Sequence, residues 1–217
     1  MSTDKPMPLG AMLPTRESLD SRRGTLHVVA PEPPDDDVQR QRRNDALVAL
    51  NRTLPQAFQW ARFTAPELSR RAGPAASAAL REALWRTPRL VFVGPAGSGK
   101  TSLAVACLRR WAHENARAAA FFHACELGMA RIQHPAGRGE PEIVDRATRW
   151  PLVLLDDLGS ERSIAGCAVP DVIYLRHAAE RPLWITTGLS RAAVVERYGA
   201  GIARRVFEGA TVITPDA

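Results

Sequence analysis

Gly94-Pro95-Ala96-Gly97-Ser98-Gly99-Lys100-Thr101 is the stretch whose reading decides the fold of this 217-residue chain. It fits G-x-x-x-x-G-K-[ST], a loop whose backbone cradles phosphate groups. Its glycines let the backbone curl so that N–H groups turn inward, and a helix starting near Lys100 adds its positive dipole end. The chain carries 29 basic residues, yet only Lys5 and Lys100 are lysines. Composition alone therefore gives no reason for lysine at position 100. A compact ammonium can reach between β- and γ-phosphates, where a planar guanidinium is too broad. Gly94, Pro95, Ala96, Gly97, Ser98, Gly99, Lys100, Thr101 and Ser102 are the candidate nucleotide-binding residues. Thr101 is placed to put its hydroxyl on a Mg2+ ion, and ATP is the expected ligand.

The context of the loop matches its chemistry. Arg89 to Val93 is a short β-branched and aromatic run, as in a buried strand, and Leu103, Val105, Ala106, Leu108 and Trp111 recur at near-helical spacing to about Asn115. Further strands are predicted over 118–125, 151–155, 183–187 and 211–213. Helices are predicted over 171–179, 191–198 and 201–207. Alternating strands and helices imply an α/β fold with a mostly parallel sheet flanked by helices. Ligands of such sheets sit at the carboxyl ends of the strands. Gly94 falls at one such end and Asp156 at another.

Upstream, charge is unevenly spread. Residues 1–37 hold four basic and seven acidic groups with six prolines, and read as a disordered tail ending in Asp35-Asp36-Asp37. Residues 38–89 carry ten arginines against Asp45, Glu67 and Glu82, and read as a basic helical extension broken at Gly73-Pro74. Residues 90–217 form the expected ATPase core. A basic block beside such a core fits a polyanion partner, with DNA the commonest. Arginines filling a solvated face are the alternative, and charge by itself does not separate the two. No apolar run reaches membrane-spanning length, and the N-terminus lacks a signal pattern. Cys107, Cys125 and Cys167 are widely spaced and read as reduced thiols. These features exclude a zinc module and point to the cytoplasm, with no membrane partner.

The apolar run Leu152 to Leu155 ends abruptly in Asp156-Asp157. Asp156 is the second candidate Mg2+ ligand, and Asp157 the candidate catalytic residue that orients the attacking water. Glu161 is the fallback for that role. His123, Glu126, Trp60, Trp85 and Trp111 read as structural.

Leu154-Leu155-Asp156-Asp157-Leu158-Gly159-Ser160-Glu161 resembles the "LLIDDLGxE" segment of the DnaC/IstB family of AAA+ ATPases, which are bacterial helicase loaders and transposon ATPases. Arg181 to Ser190 is similar to the family's "RPTIITSNLS", and Glu196 to Val206 to its "ERYGERIASRL". Leu54-Pro55-x-x-Phe58-x-x-Ala61-Arg62-Phe63 is similar to its entry segment. The resemblance covers about Leu54 to the C-terminus. It implies a P-loop NTPase of AAA+ type without a C-terminal helical lid, with a flexible N-terminal extension. It also implies a homo-oligomeric ring or spiral on DNA, single-stranded above all, with Arg205 inserted in trans into a neighbour's site and Arg204 as runner-up. A DnaC-like member partners a hexameric replicative helicase; an IstB-like member partners a transposase. The family's asparagine at the end of "ITSN" is Gly188 here, with Thr187 the candidate substitute, and many AAA+ proteins have glutamate where Asp157 stands. Both departures point to slow hydrolysis, or to a nucleotide-gated adaptor that binds without turnover.

Overall fold

The computed structural model describes residues 36–135, 137–162 and 166–215. Five strands, β1 (Arg89–Val93), β2 (Ala119–His123), β3 (Leu152–Leu158), β4 (Leu183–Thr187) and β5 (Thr211–Ile213), form one parallel sheet in the order β2-β3-β4-β1-β5. Eight helices surround it among the described residues: α1 (Asp36–Asn51), α2 (Pro66–Arg81), α3 (Lys100–Asn115), α4 (Ala124–Gln133), α5 (Glu142–Arg149), α6 (Val169–Ala178), α7 (Arg191–Tyr198) and α8 (Ala200–Phe207). None of the described helices is long and apolar enough to cross a membrane.

The period of two along each strand divides the core into two clusters. Leu90, Phe92, Phe121, Leu152, Leu154 and Trp184 pack on one face with Leu50 of α1, Leu68 and Ala72 of α2, and Leu103 to Leu108 of α3. Val91, Phe122, Val153, Leu155 and Ile185 pack on the other with Leu127, Val144, Ile173 and Val206. Because both faces are covered, β3 reads as a continuous apolar run rather than an alternating one. Residues of the basic extension thus share their core with the helix that follows the phosphate loop.

Several boundaries differ from the sequence reading. Asp36 and Asp37, expected in the tail, form the first turn of α1, where carboxylates favour the positive end of the helix dipole. The rest of the expected tail, residues 1–35, lies outside the described residues. Cys125 belongs to α4 rather than to the second strand, because His123 caps that helix by accepting from the Cys125 N–H at 3.2 Å. The short helix α5 has no counterpart in the sequence reading, since only Val144 and Ala147 on it are buried. The expected break at Gly73-Pro74 is present: α2 is two helical pieces that meet at a kink, where Gly73 takes a non-helical φ 50° and ψ −137° and the Pro74 ring removes a helical donor.

Candidate nucleotide-binding site

The loop after β1 turns on Gly97 (φ 84°) and Gly99 (φ 79°), and α3 begins at Lys100. Three donors meet on one oxygen there: the Pro95 carbonyl accepts from Ser98 N at 3.4 Å, Ser98 Oγ at 3.0 Å and Lys100 Nζ at 2.7 Å. Ser98 is fully buried, so its hydroxyl fixes the curl while the Lys100 ammonium stays at the loop mouth. The loop is tied to the sheet by Gly94 N donating to Thr187 O at 3.3 Å. Gly99 could not be any larger residue, because a Cβ there would lie 2.8 Å from the Arg71 carbonyl oxygen of α2.

Thr101, in the first turn of α3, donates through Oγ1 to Asp156 Oδ1 at 2.8 Å. Thr186 donates to the same oxygen at 2.7 Å and accepts from Asp157 N at 2.8 Å. β3 carries one extra residue here. Its pairing with β4 shifts between Leu155 and Leu158, and Asp157 takes φ 58°. This bulge leaves Asp156 buried (4% exposed) and turns Asp157 out to solvent. Burial pushes the Asp156 carboxyl above the usual aspartate range, against the Thr186 and Thr101 hydrogen bonds that favour the carboxylate. Burial lowers the pKa of the Lys100 ammonium, and the charges of Asp157 and Asp156 oppose that shift. Lys100, Thr101, Asp156 and Asp157 therefore act on one another at the carboxyl edge of the sheet. A hydroxyl and a carboxylate at hydrogen-bond distance are the hard oxygen donors that Mg2+ accepts alongside phosphate oxygens. The residues present fit both ATP and Mg2+.

No protein-family profile matches the chain, and no curated protein matches it by sequence. Solved structures do. The DnaC helicase loader superposes with a TM-score of 0.59 at 22% identity, over 75% of this chain and 100% of that one. DnaI gives 0.60 at 20% identity, over 76% and 92%. The replication initiator DnaA bound to AMPPCP and single-stranded DNA gives 0.54 at 20% identity, over 76% of this chain and 51% of DnaA. The chain shares its fold with these proteins.

In this fold the remaining candidate residues stand apart from the loop to different degrees. Thr187 pairs in register with Val93, next to Gly94, but it is fully buried. Its hydroxyl donates to Leu158 O at 2.6 Å and accepts from Leu189 N at 3.0 Å. It clamps β4 to the end of β3, and its proton is already committed. Arg205 on α8 lies over the Tyr174 ring at 4.7 Å and donates to Gly201 O at 2.8 Å. Neither contact belongs to its own phosphate loop. Arg204 is exposed and pairs with Glu208 at 3.6 Å. Glu161 is not free to orient water: its side chain is 1% exposed. Glu161 accepts from Gly159 N at 3.1 Å and from the Tyr198 hydroxyl, and faces Arg197 at 3.6 Å.

Three residues of the site escaped the sequence reading. Thr186 is the pivot that holds both acids, and its signal is the Thr186-Thr187 pair at the end of an apolar strand. Phe58 and Arg71 line a cavity of about 210 Å3 with Gly97, Gly99, Lys100 and Thr101. The Gly73-Pro74 break was visible, but nothing local shows that α2 meets the loop beside it.

Proposed function

We propose that this chain binds ATP with Mg2+ at the phosphate loop, hydrolyses it slowly, and acts as a DnaC-like loader of a hexameric replicative helicase on DNA. The observation that carries the reading is the Thr101–Asp156 hydrogen bond beneath the loop. It brings a hydroxyl and a buried carboxylate together where a phosphate-bound cation belongs. The likeness in fold to the DnaC helicase loader and to DnaI supports the loader role. The likeness to DnaA bound to AMPPCP and single-stranded DNA supports the ligand classes.

The loop N–H groups and Lys100 hold the phosphates, and Thr101 and Asp156 hold the metal. A bound Mg2+ would supply neutralisation of charge on the phosphate oxygens. Asp157, exposed on its bulge, is the side chain free to orient water. Arg205 acts in trans in an oligomer, leaving Tyr174 to neutralise charge at a neighbour's site; such arginines are worth roughly 10³–10⁵ in rate.

The second reading is a nucleotide-gated adaptor without turnover. It is favoured by Gly188, which has no side-chain amide, and by the commitment of the Thr187 hydroxyl to Leu158. Steady-state ATP hydrolysis of the wild type, Lys100→Ala and Arg205→Ala, with and without single-stranded DNA, tests both. DNA-stimulated turnover lost in both variants supports the loader. Binding of ATP without turnover under either condition supports the adaptor, and absence of ATP binding removes both.

A further inference from the structure

A cleft of about 410 Å3, larger than the cavity at the phosphate loop, shares no lining residue with it. It lies between α1, the segment before α2, and the middle of α3. Arg62, Arg109, Arg110 and His113 are the basic part of its polar wall, beside Asn51 and Thr64, and Leu47 and Phe63 are part of its apolar wall. No carboxylate lines it among the described residues. Arg109 sits nine residues past Lys100, about 13 Å along α3 at 1.5 Å per residue.

Arg109 is 8% exposed, yet its partners are neutral: Asn51 Oδ1 at 2.6 Å and the Gln59 carbonyl at 2.9 Å. Buried charges are ordinarily matched by an opposite charge, because neutral oxygens offset only part of the desolvation. The other deeply buried arginine, Arg176, is surrounded by the carbonyls of Ala147, Thr148, Trp150 and Pro182 and lines neither this cleft nor the phosphate-loop cavity. Its role is a staple between α5 and β4. Arg109 borders a cleft instead. Beside it the Arg62 guanidinium makes no hydrogen bond or ion pair among the described residues. Arg110 shares Glu114 with Arg86 and Trp85. The cleft therefore holds more positive charge than the protein balances.

We propose that this cleft is a second anion site that takes a phosphate ester with an attached planar ring, a nucleotide unit. Guanidinium groups match phosphate oxygens in pairs. Arg109 is already held by Asn51 and Gln59, so its ordering is not charged against binding. Phe63 gives a ring or sugar an apolar surface beside the charge, as single-strand sites do. An acidic peptide would satisfy the guanidiniums but has no use for that surface. The unit comes from a free nucleotide or from a strand of nucleic acid. The proposal rests on the reading of a polyanion partner and not on ATP turnover.

The test uses the full chain carrying Lys100→Ala, so that the phosphate loop does not compete. Binding of fluorescent oligothymidylate, of dTMP and of a polyglutamate peptide is measured with Arg62→Glu added. Arg81→Glu, an exposed arginine outside the cleft, controls for net charge. Arg62 is exposed and makes no side-chain bond among the described residues, so its replacement leaves folding intact, which a thermal melt verifies. Arg62→Glu is expected to weaken oligothymidylate binding at least tenfold relative to Arg81→Glu. It should also reduce the slope of log affinity against log salt by about 0.7, one single-strand phosphate contact. Equal sensitivity of dTMP assigns the site to free nucleotide, and sensitivity of the oligothymidylate alone assigns it to a strand. The proposal is overturned if the two variants bind oligothymidylate and dTMP alike, or if only polyglutamate binding depends on Arg62. Loss of ATP binding in the otherwise unaltered chain would remove the proposed function while leaving this result standing.

Discussion

Thr101 Oγ1 and Asp156 Oδ1 are joined by a 2.8 Å hydrogen bond that links the first turn of α3 to the end of β3. The residues are 55 positions apart, and the order β2-β3-β4-β1-β5 brings them together by separating β1 from β3 with a single strand. That strand, β4, supplies Thr186, which donates to the same carboxylate oxygen. The meeting of this hydroxyl with this carboxylate is thus a product of strand order.

Removing either partner should weaken Mg2+-dependent nucleotide binding. Thr101→Ala and Asp156→Asn are each expected to lower affinity for Mg2+-ATP by at least about 10- to 100-fold, the usual range for losing support around a metal. Fluorescent-nucleotide titrations in Mg2+ and in EDTA check this. The variants should match the wild type in EDTA, where the metal plays no part.

Gly99→Ala should lose stability as well as binding. Its Cβ would meet the Arg71 carbonyl oxygen at 2.8 Å, on backbone that cannot swing aside, and φ 79° disfavours any side chain. A left-handed non-glycine residue costs about 1–3 kcal/mol. Urea denaturation should show the midpoint falling with an unchanged slope. An unaltered midpoint would mean that α2 does not hold the loop.

Gly188→Asn should raise turnover. Space is available, since a Cβ at this position meets only the Gly94 carbonyl oxygen, at 3.9 Å. An amide there would stand beside the loop, where a single well-placed donor is worth roughly 10²–10³ in rate. Steady-state hydrolysis in saturating ATP should rise at least tenfold. No rise would place the slow step elsewhere, for instance in assembly with a neighbour's Arg205.

At alkaline pH the Tyr198 hydroxyl becomes a stability switch. Burial, and then the hydrogen bond it donates to Glu161, raise its pKa above the ordinary 10.0. The folded state therefore favours the protonated phenol. That contribution is fully present below about pH 10 and is lost as pH rises through the folded value. Wild type minus Tyr198→Phe stability, from thermal melts between pH 8 and 11, should be flat at first and then fall. A flat difference throughout would show that Tyr198 titrates as if exposed.

Much of this architecture could be read locally. The glycine-lysine loop, the buried run ending at Asp156 and the strand at 183–187 each announce themselves within a few residues, because burial on both faces leaves continuous apolar stretches. What escaped reading depends on distant chain. The bulge at Asp156-Asp157 needs Thr186 from another strand to hold it, so the end of β3 was placed too early. Glu161 looked available for catalysis because nothing near it shows that Arg197 and Tyr198 fold over it. Thr187 carries a hydroxyl at the right strand end, but it donates its hydrogen bond to the Leu158 carbonyl. Gly99 was understood as a turn residue, whereas the Arg71 backbone also requires its lack of a side chain.

If the loop and the Thr101–Asp156 pair form one Mg2+-nucleotide site, calorimetric titration of ATP shows it without recourse to turnover or partners. ATP is titrated into the full chain with Mg2+ and with EDTA, and into Lys100→Ala. Saturable binding at one site per chain is expected in Mg2+, weakening at least tenfold in EDTA and lost in Lys100→Ala. Equal binding by the wild type and Lys100→Ala, or no dependence on Mg2+, would refute a shared site.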